Sequence, residues 1–271
     1  MSNAFANRSG EAVFLCYHSI ASAGAEFLAL APDAFERQLA GLRRRRYRSG
    51  GIADLRRLAA GERLPGRTAF LTFDDGYRDN HDVAMPLMRE YGFKPLVFLL
   101  PRHVDEGAGF RWPEVAELYA RHPDRLRSLR WSQVDEMVEQ GAEFGSHTLT
   151  HPHLRELDDE QLGVELGQSK AELERRLGAC DMLAYPFGEW DERVAAAAGA
   201  AGYRFAFSLP QGPQAEGGPL FIPRVNVDNR DRPGRFRLKL HPLVRQFLLS
   251  DAGERLRGVR RLARRGGGRR A

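Results

Sequence analysis

The sequence predicts an α/β fold, a single distorted or incomplete (β/α) barrel of about seven parallel strands. Three observations predict it. Apolar runs of strand length alternate with helically spaced patterns along most of the chain, which calls for parallel pairing with helices outside the sheet. The 271 residues suit one barrel, and no long linker or internal repeat divides them. Finally, 42% apolar and 28% charged residues are the composition of a globular domain with a real core.

Ala12–His18 (AVFLCYH) is almost continuously apolar and reads as the first buried strand. Asp33–Arg46 puts Phe35, Leu39 and Leu42 at helical spacing, and Ile52–Ala59 is a second short helix. Thr68–Asp74 (TAFLTFD) is the next strand, Asp79–Tyr91 a helix ended by Gly92, and Pro95–Leu100 a strand that tolerates proline at its first residue. Ser132 is expected to cap a helix running to Gln140, which Gly141 closes before the short strand Ala142–Gly145. Asp158–Leu177 is a long amphipathic helix, Met182–Tyr185 a strand and Asp191–Ala200 an Ala-rich helix. Strands at Tyr203–Ser208 and Leu220–Val225 complete the set.

Charge and composition exclude several classes of function. The net charge of +5 is concentrated at the end of the chain, where Glu254–Arg270 holds eight arginines and one glutamate, so everything else carries a net −2. A nucleic-acid partner is therefore not expected of the body of the protein. No run of 18 apolar residues exists to cross a membrane, and the first residues lack the basic start and apolar core of a signal peptide, so cytoplasmic residence is expected. Cys16 and Cys180 are too few for a disulfide framework and read as structural thiols. In the tail, Leu256, Val259 and Leu262 recur every three residues among arginines, a pattern suited to weak peripheral contact with the inner face of an anionic membrane. Gly258 and Gly266–Gly268 oppose helix formation there.

The informative polar residues fall at strand ends. Asp74 and Asp75 follow the run AFLTF, His147 and His151 follow AEFG, and His18 ends the first strand. In parallel α/β folds the C-terminal edge of the sheet carries the chemistry. An Asp-Asp-Gly after a strand also serves as a plain turn, and two histidines four apart also occur by coincidence. Together, however, one carboxylate and two imidazoles form a ligand set that leaves a position open on zinc or a similar divalent ion. A second carboxylate beside it can accept a proton.

TFDDGYRDN (Thr72–Asn80), SHTLTHPHL (Ser146–Leu154) and AYPFGEWDERV (Ala184–Val194), in that order, resemble the motifs of the polysaccharide deacetylase family, the NodB-homology domain of carbohydrate esterase family 4. The likeness spans Ala12 to Val227. It implies a distorted (β/α) barrel that removes acetyl groups, usually from N-acetylated sugars of a polysaccharide, oligosaccharide or glycan precursor. Divided accordingly, the chain has an extension at 1–11, a deacetylase domain at 12–253 and the tail at 254–271. The resemblance makes Asp75, His147 and His151 the ligands of one divalent metal, with zinc expected and cobalt, nickel and manganese compatible. It makes Asp74 the general base and the Phe187 backbone N–H an oxyanion donor.

Two departures from the family pattern matter. Many members carry an arginine two residues before the proline of the third motif, tethering the base, whereas this chain has Ala184 there. Arg224, in FIPRVNV, is a candidate replacement and is also counted among the residues facing the substrate. The late Leu-x-His element that usually supplies the general acid is missing, its nearest counterpart being His241 in KLHP. Tyr17–Ser19 (YHS) resembles the early element of a permuted subgroup, and His18 is assigned the acid. Tyr77, Trp112, Trp131, Phe187 and Trp190 are candidate sugar-stacking aromatics, Tyr77 and Trp190 foremost. O-acetyl ester cleavage by the same apparatus and a non-catalytic glycan-binding barrel are the alternatives. Nothing in the sequence indicates an oligomeric state.

Overall fold

The computed structural model describes residues 5, 12–21, 28–104, 110, 113–121, 126–209 and 218–248. Trp112 and the arginine-rich tail lie outside them. The strands are β1 (Ala12–Tyr17), β2 (Ser19–Ile20), β3 (Ala29–Leu30), β4 (Arg48–Ser49), β5 (Thr68–Phe73), β6 (Pro95–Leu99), β7 (Glu143–Ser146), β8 (Met182–Ala184), β9 (Phe205–Ser208), β10 (Ile222–Pro223) and β11 (Val225–Asn226). The helices are α1 (Pro32–Arg44), α2 (Ile52–Ala59), α3 (Met85–Glu90), α4 (Pro113–Arg121), α5 (Trp131–Glu139), α6 (Asp159–Leu177), α7 (Glu192–Ala200), α8 (Pro233–Lys239) and α9 (Pro242–Leu248).

The main sheet runs β10-β9-β8-β7-β6-β5-β1-β11, all parallel, with β4 as an extra edge on β5. Its first and last members are the two halves of one stretch. Ile222–Pro223 pairs with β9 and Val225–Asn226 with β1, so the chain changes partner at Arg224 and nearly closes the ring. This is the expected distorted (β/α) barrel.

Alternation along the strands sorts the side chains into two layers. Val13, Leu15 and Tyr17 pack outward against helices with Phe35, Leu39 and Leu166. Phe14, Phe70, Phe98, Met182, Phe207 and Ile222 fill the inside, with Phe14 and Phe70 stacked at 4.5 Å. Counting two residues on along each inward column, from Phe14, Phe70 and Ile222, gives Cys16, Thr72 and Arg224. The same pleat that builds the core thus delivers polar groups to the barrel's C-terminal mouth.

Two local expectations are corrected. Ser132 does not cap its helix, because α5 already begins at Trp131 with Arg130 as N-cap, whose N–H donates to the Gln133 side chain at 3.1 Å. The helix expected from Asp79 opens with a π-helical stretch, Asn80–Ala84, ahead of α3. Pro86 lacks the N–H that a regular α-helical ladder requires there. The Asp158 and Asp191 side chains do cap α6 and α7. No helix among the described residues is long and apolar enough to cross a membrane.

Gly145 is where the inner layer has no space to give. A Cβ on it would stand 2.7 Å from both the Met182 carbonyl oxygen and the Phe98 ring. Overpacking of this kind typically costs about 1–3 kcal/mol, and Gly145→Ala is expected to lower urea-unfolding stability by that order. An unchanged denaturation midpoint would contradict the packing described.

Candidate active site

The ends of β1, β5 and β7, with β6 between the last two, carry the candidate site. The Asp74 N–H donates to the Tyr17 carbonyl at 3.0 Å, continuing the β1–β5 ladder and setting Asp74 and Asp75 beside His18. The His147 N–H donates to the Leu99 carbonyl at 2.8 Å, one step beyond the β6–β7 pairing. Asp75, His147 and His151 are all buried, with the Asp75 Oδ1 atom 3.4 Å from His147 Nε2 and 3.6 Å from His151 Nε2. Their ligating atoms lie within 4.8 Å of one another.

The donor chemistry fits a divalent cation. His147 gives its Nδ1–H to the Ala184 carbonyl at 2.7 Å, so in the neutral ring the Nε2 lone pair faces the carboxylate. Asp75 Oδ1 is buried and accepts no hydrogen bond among the described residues. A buried carboxylate oxygen facing two imidazole nitrogens is a donor set that a cation between them would satisfy. Burial, reinforced by the His147 charge, pushes the His151 imidazole down to about 3, which keeps it neutral as a ligand must be. Burial also lowers His147, but the Asp74 and Asp75 charges outweigh it and raise that ring above its ordinary value.

The loops holding these ligands are locally strained. Asp75, Thr148, His151 and Phe187 have φ of 71°, 71°, 65° and 58°, a region that non-glycine residues seldom occupy. In the loop carrying Thr148 and His151, side chains lock the backbone. The Ser146 hydroxyl accepts the Thr148 N–H at 3.0 Å, and the Thr148 hydroxyl accepts the His151 N–H at 3.2 Å. Glu165, on α6, accepts the N–H groups of Leu149 and Thr150 at 2.9 and 3.0 Å and the Thr150 hydroxyl at 2.7 Å. Glu165 has no sequence signature, being one acid among several on an amphipathic helix.

Asp74 is fastened by Arg224. The guanidinium donates to both carboxylate oxygens, Nη1 to Oδ1 at 2.6 Å and Nη2 to Oδ2 at 2.7 Å, and also to the Thr72 hydroxyl at 2.9 Å. Burial alone would raise the Asp74 pKa, but the Arg224 charge overrides it and holds the carboxyl well below the usual carboxylate range. Arg224 is fully buried, which corrects its expected place among substrate-facing residues: it reaches the base and is sealed from solvent. Cys16, His18 and Asp74 form a second compact donor group. It suits a cation poorly. Both Asp74 oxygens are committed to a guanidinium, and burial pushes the Cys16 thiol well up, leaving a protonated donor.

His18 lies beside both aspartates, and its backbone is tied down by residues of the first motif. Asn80 Nδ2 donates to the His18 carbonyl at 2.8 Å, while Asp79 accepts from the Ile20 N–H at 3.0 Å and from the Ser19 hydroxyl. His241 stands apart, in the turn between α8 and α9. The Phe187 ring packs edge-on against His151 at 4.6 Å and stacks on His153 at 4.0 Å. Tyr77 corrects its expectation as a sugar-stacking wall, for it is wholly buried with its ring edge-on to Phe110 at 4.8 Å. Trp190 is half-buried and stacked on Phe221 at 4.7 Å, and the Trp131 ring is covered by Arg176 at 5.3 Å.

The Arg224–Asp74 pair yields a stability prediction. Arg224→Met leaves a buried carboxylate unpaired, a loss typically of about 3–5 kcal/mol. In the native protein the depressed Asp74 pKa contributes stability that is present above the unfolded value near 3.9 and lost as pH falls through the folded one. In the variant burial, the largest influence, is opposed by the His147 and His18 charges but no longer by Arg224, so the pKa rises from its native value and protonation relieves the unpaired carboxylate. The gap between native and Arg224→Met proteins in urea unfolding is therefore expected to narrow from pH 7 toward pH 4. A gap that is constant with pH would contradict the pairing.

Residues 61–206 match the family model described as "Polysaccharide deacetylase". The protein YxkH of Bacillus subtilis (strain 168) is 26% identical over 216 residues, 79% of this chain and 70% of its own. The Streptococcus pyogenes deacetylase PplD, solved in complex with acetate, superposes with a TM-score of 0.71 at 23% identity, covering 85% of this chain and 98% of its own. A de-N-acetylase from Aggregatibacter actinomycetemcomitans superposes with a TM-score of 0.69 at 18% identity, covering 83% of this chain and 98% of its own. These likenesses in fold accord with the barrel described above, and the family match spans both the Asp74–Asp75 and the His147–His151 motifs. The chain belongs to the polysaccharide deacetylase family.

Proposed function

We propose that the protein is a metal-dependent carbohydrate N-deacetylase, acting on N-acetylated sugars of a polysaccharide, oligosaccharide or glycan precursor. The observation that carries this reading is the buried Asp75, His147 and His151 cluster with an ionised carboxylate, Asp74, immediately beside it. The names of two similar structures, a deacetylase in complex with acetate and a de-N-acetylase, support the same chemistry.

A divalent cation held by the three ligands, zinc in our reading, would polarise the acetyl carbonyl and bring the pKa of a bound water to roughly 7. Asp74 accepts the proton of the attacking water, its orientation and charge fixed by Arg224 at some cost in basicity. The Phe187 N–H donates to the developing oxyanion, a contribution of about 3 kcal/mol in comparable sites. His18 hands a proton to the departing amine, without which an amine leaves poorly. Many family members carry the base tether on the third motif, and here Arg224 takes that task from the closing strand.

Three substitutions separate these roles. Asp74→Asn should abolish acetate release from N-acetylated oligosaccharides while leaving the metal content near that of the native protein. Asp75→Asn should lose both metal and activity. Equal metal loss in the two would overturn the division of labour. His18→Ala should keep its metal and lose about 10²-fold or more in kcat, the usual scale of a general acid. A fully active His18→Ala protein would remove His18 from the mechanism. Comparing acetate release from N-acetyl and O-acetyl sugars tests the substrate class, and a preference for O-acetyl esters would contradict the amide assignment.

A further inference from the structure

A cavity of about 370 Å³ lies between α1 and residues 229–237, and none of its lining residues belongs to the site described above. Small-molecule sites span about 300–1,000 Å³, so it suits a compact ligand. Five arginines line it: Arg37, Arg44, Arg45, Arg232 and Arg237. Arg37 is paired with Asp33 at 2.7 Å. Arg45 donates to the Gly41 carbonyl at 3.0 Å and meets no carboxylate, and Arg44, Arg232 and Arg237 meet none among the described residues. The acid in the wall, Asp231, is already neutralised by Lys239 at 2.6 Å and Arg235 at 3.1 Å. Four guanidinium groups, those of Arg44, Arg232 and Arg237 exposed and that of Arg45 half-buried, thus border one cavity with no carboxylate partner among the described residues, and their summed positive potential favours an anion there.

The lining also holds a buried donor without an acceptor. Gln38 is 4% exposed, and the Tyr17 hydroxyl donates to its Oε1 at 2.9 Å, which fixes the amide. Its Nε2 has no hydrogen-bond partner among the described residues. Leaving such a group dry and unpaired is costly, whereas an oxygen-rich anion would satisfy it. Four uncompensated positive charges exceed what one carboxylate would balance, and the planar fork of arginine matches phosphate oxygens in pairs.

We propose that this cavity is a binding site for a phosphorylated small molecule or headgroup, its phosphate held by Arg44, Arg45, Arg232 and Arg237 and by Gln38 Nε2. The probes are inorganic pyrophosphate, titrated calorimetrically into the full-length protein, and vesicles containing phosphatidic acid, tested by co-sedimentation. Every variant retains the arginine-rich tail, so its contribution is common to all. Pyrophosphate affinity should fall at least tenfold in Arg232→Ala/Arg237→Ala and in Gln38→Leu, with folding verified by thermal melting, and stay unchanged in Arg121→Ala, which alters a distant exposed arginine. Pyrophosphate binding with this dependence identifies a free phosphorylated molecule, and vesicle binding alone with the same dependence identifies a lipid headgroup. No binding of either probe by the native protein overturns the proposal. So does binding that ignores the arginine pair, or binding that is weakened by it but indifferent to Gln38→Leu, since surface charge alone would then explain it.

Discussion

The buried ion pair between Arg224 and Asp74 is the contact on which both the barrel and its site depend. Arg224 sits where the last stretch of strand leaves β9 and joins β1, so the residue at the closure of the ring also grips the carboxylate at its mouth. Taking two charges out of water is expensive, and the attraction repays this only with good geometry and satisfied hydrogen bonds. The geometry is good, with two parallel N–H···O contacts and Thr72 accepting from the same guanidinium, but the buried Arg224 Nε has no hydrogen-bond partner among the described residues. The pair is therefore better read as a device that positions and ionises Asp74 than as a source of net stability.

Around this pair, the rest of the site shows how a stiff scaffold holds an unfavourable backbone. Among the described residues, four of the five non-glycine residues with positive φ are Asp75, Thr148, His151 and Phe187, all within the ligand loops or packed on a ligand. Each such residue costs about 1–3 kcal/mol, and persists only where the surroundings over-determine it. At Thr148 and His151 hydrogen bonds to the loop N–H groups do so: Ser146 and Thr148 accept from within the loop, and Glu165 from a neighbouring helix. Removing such a support would displace imidazoles that the support never touches.

Much of this was legible in the sequence, for identifiable reasons. Strand-length apolar runs and helical spacing gave the alternating order, since both periods are imposed by backbone geometry. The polar residues placed after AFLTF and AEFG stood out because they interrupt those runs at the catalytic edge of a parallel sheet. The contact between Arg224 and Asp74 was legible as a vacancy at Ala184 with Arg224 as its candidate replacement, but the sequence also counted Arg224 as facing the substrate, because which arginine reaches the base depends on how the ring closes, 150 residues away along the chain. Tyr77 misled because an aromatic next to a motif reads alike whether it faces a sugar or Phe110. Ser132 misled because a capping residue matters only if the helix starts after it, and Trp131 starts it sooner.

Two compact donor groups share this mouth, and they differ in one element. Asp75, His147 and His151 offer only nitrogen and oxygen, whereas Cys16, His18 and Asp74 include sulfur. X-ray absorption at the zinc edge of the zinc-loaded protein distinguishes them directly. The account predicts two imidazole nitrogens and carboxylate or water oxygens at about 2.0–2.2 Å, with no sulfur in the first shell. A zinc–sulfur distance near 2.3 Å would place the ion on Cys16 and contradict it.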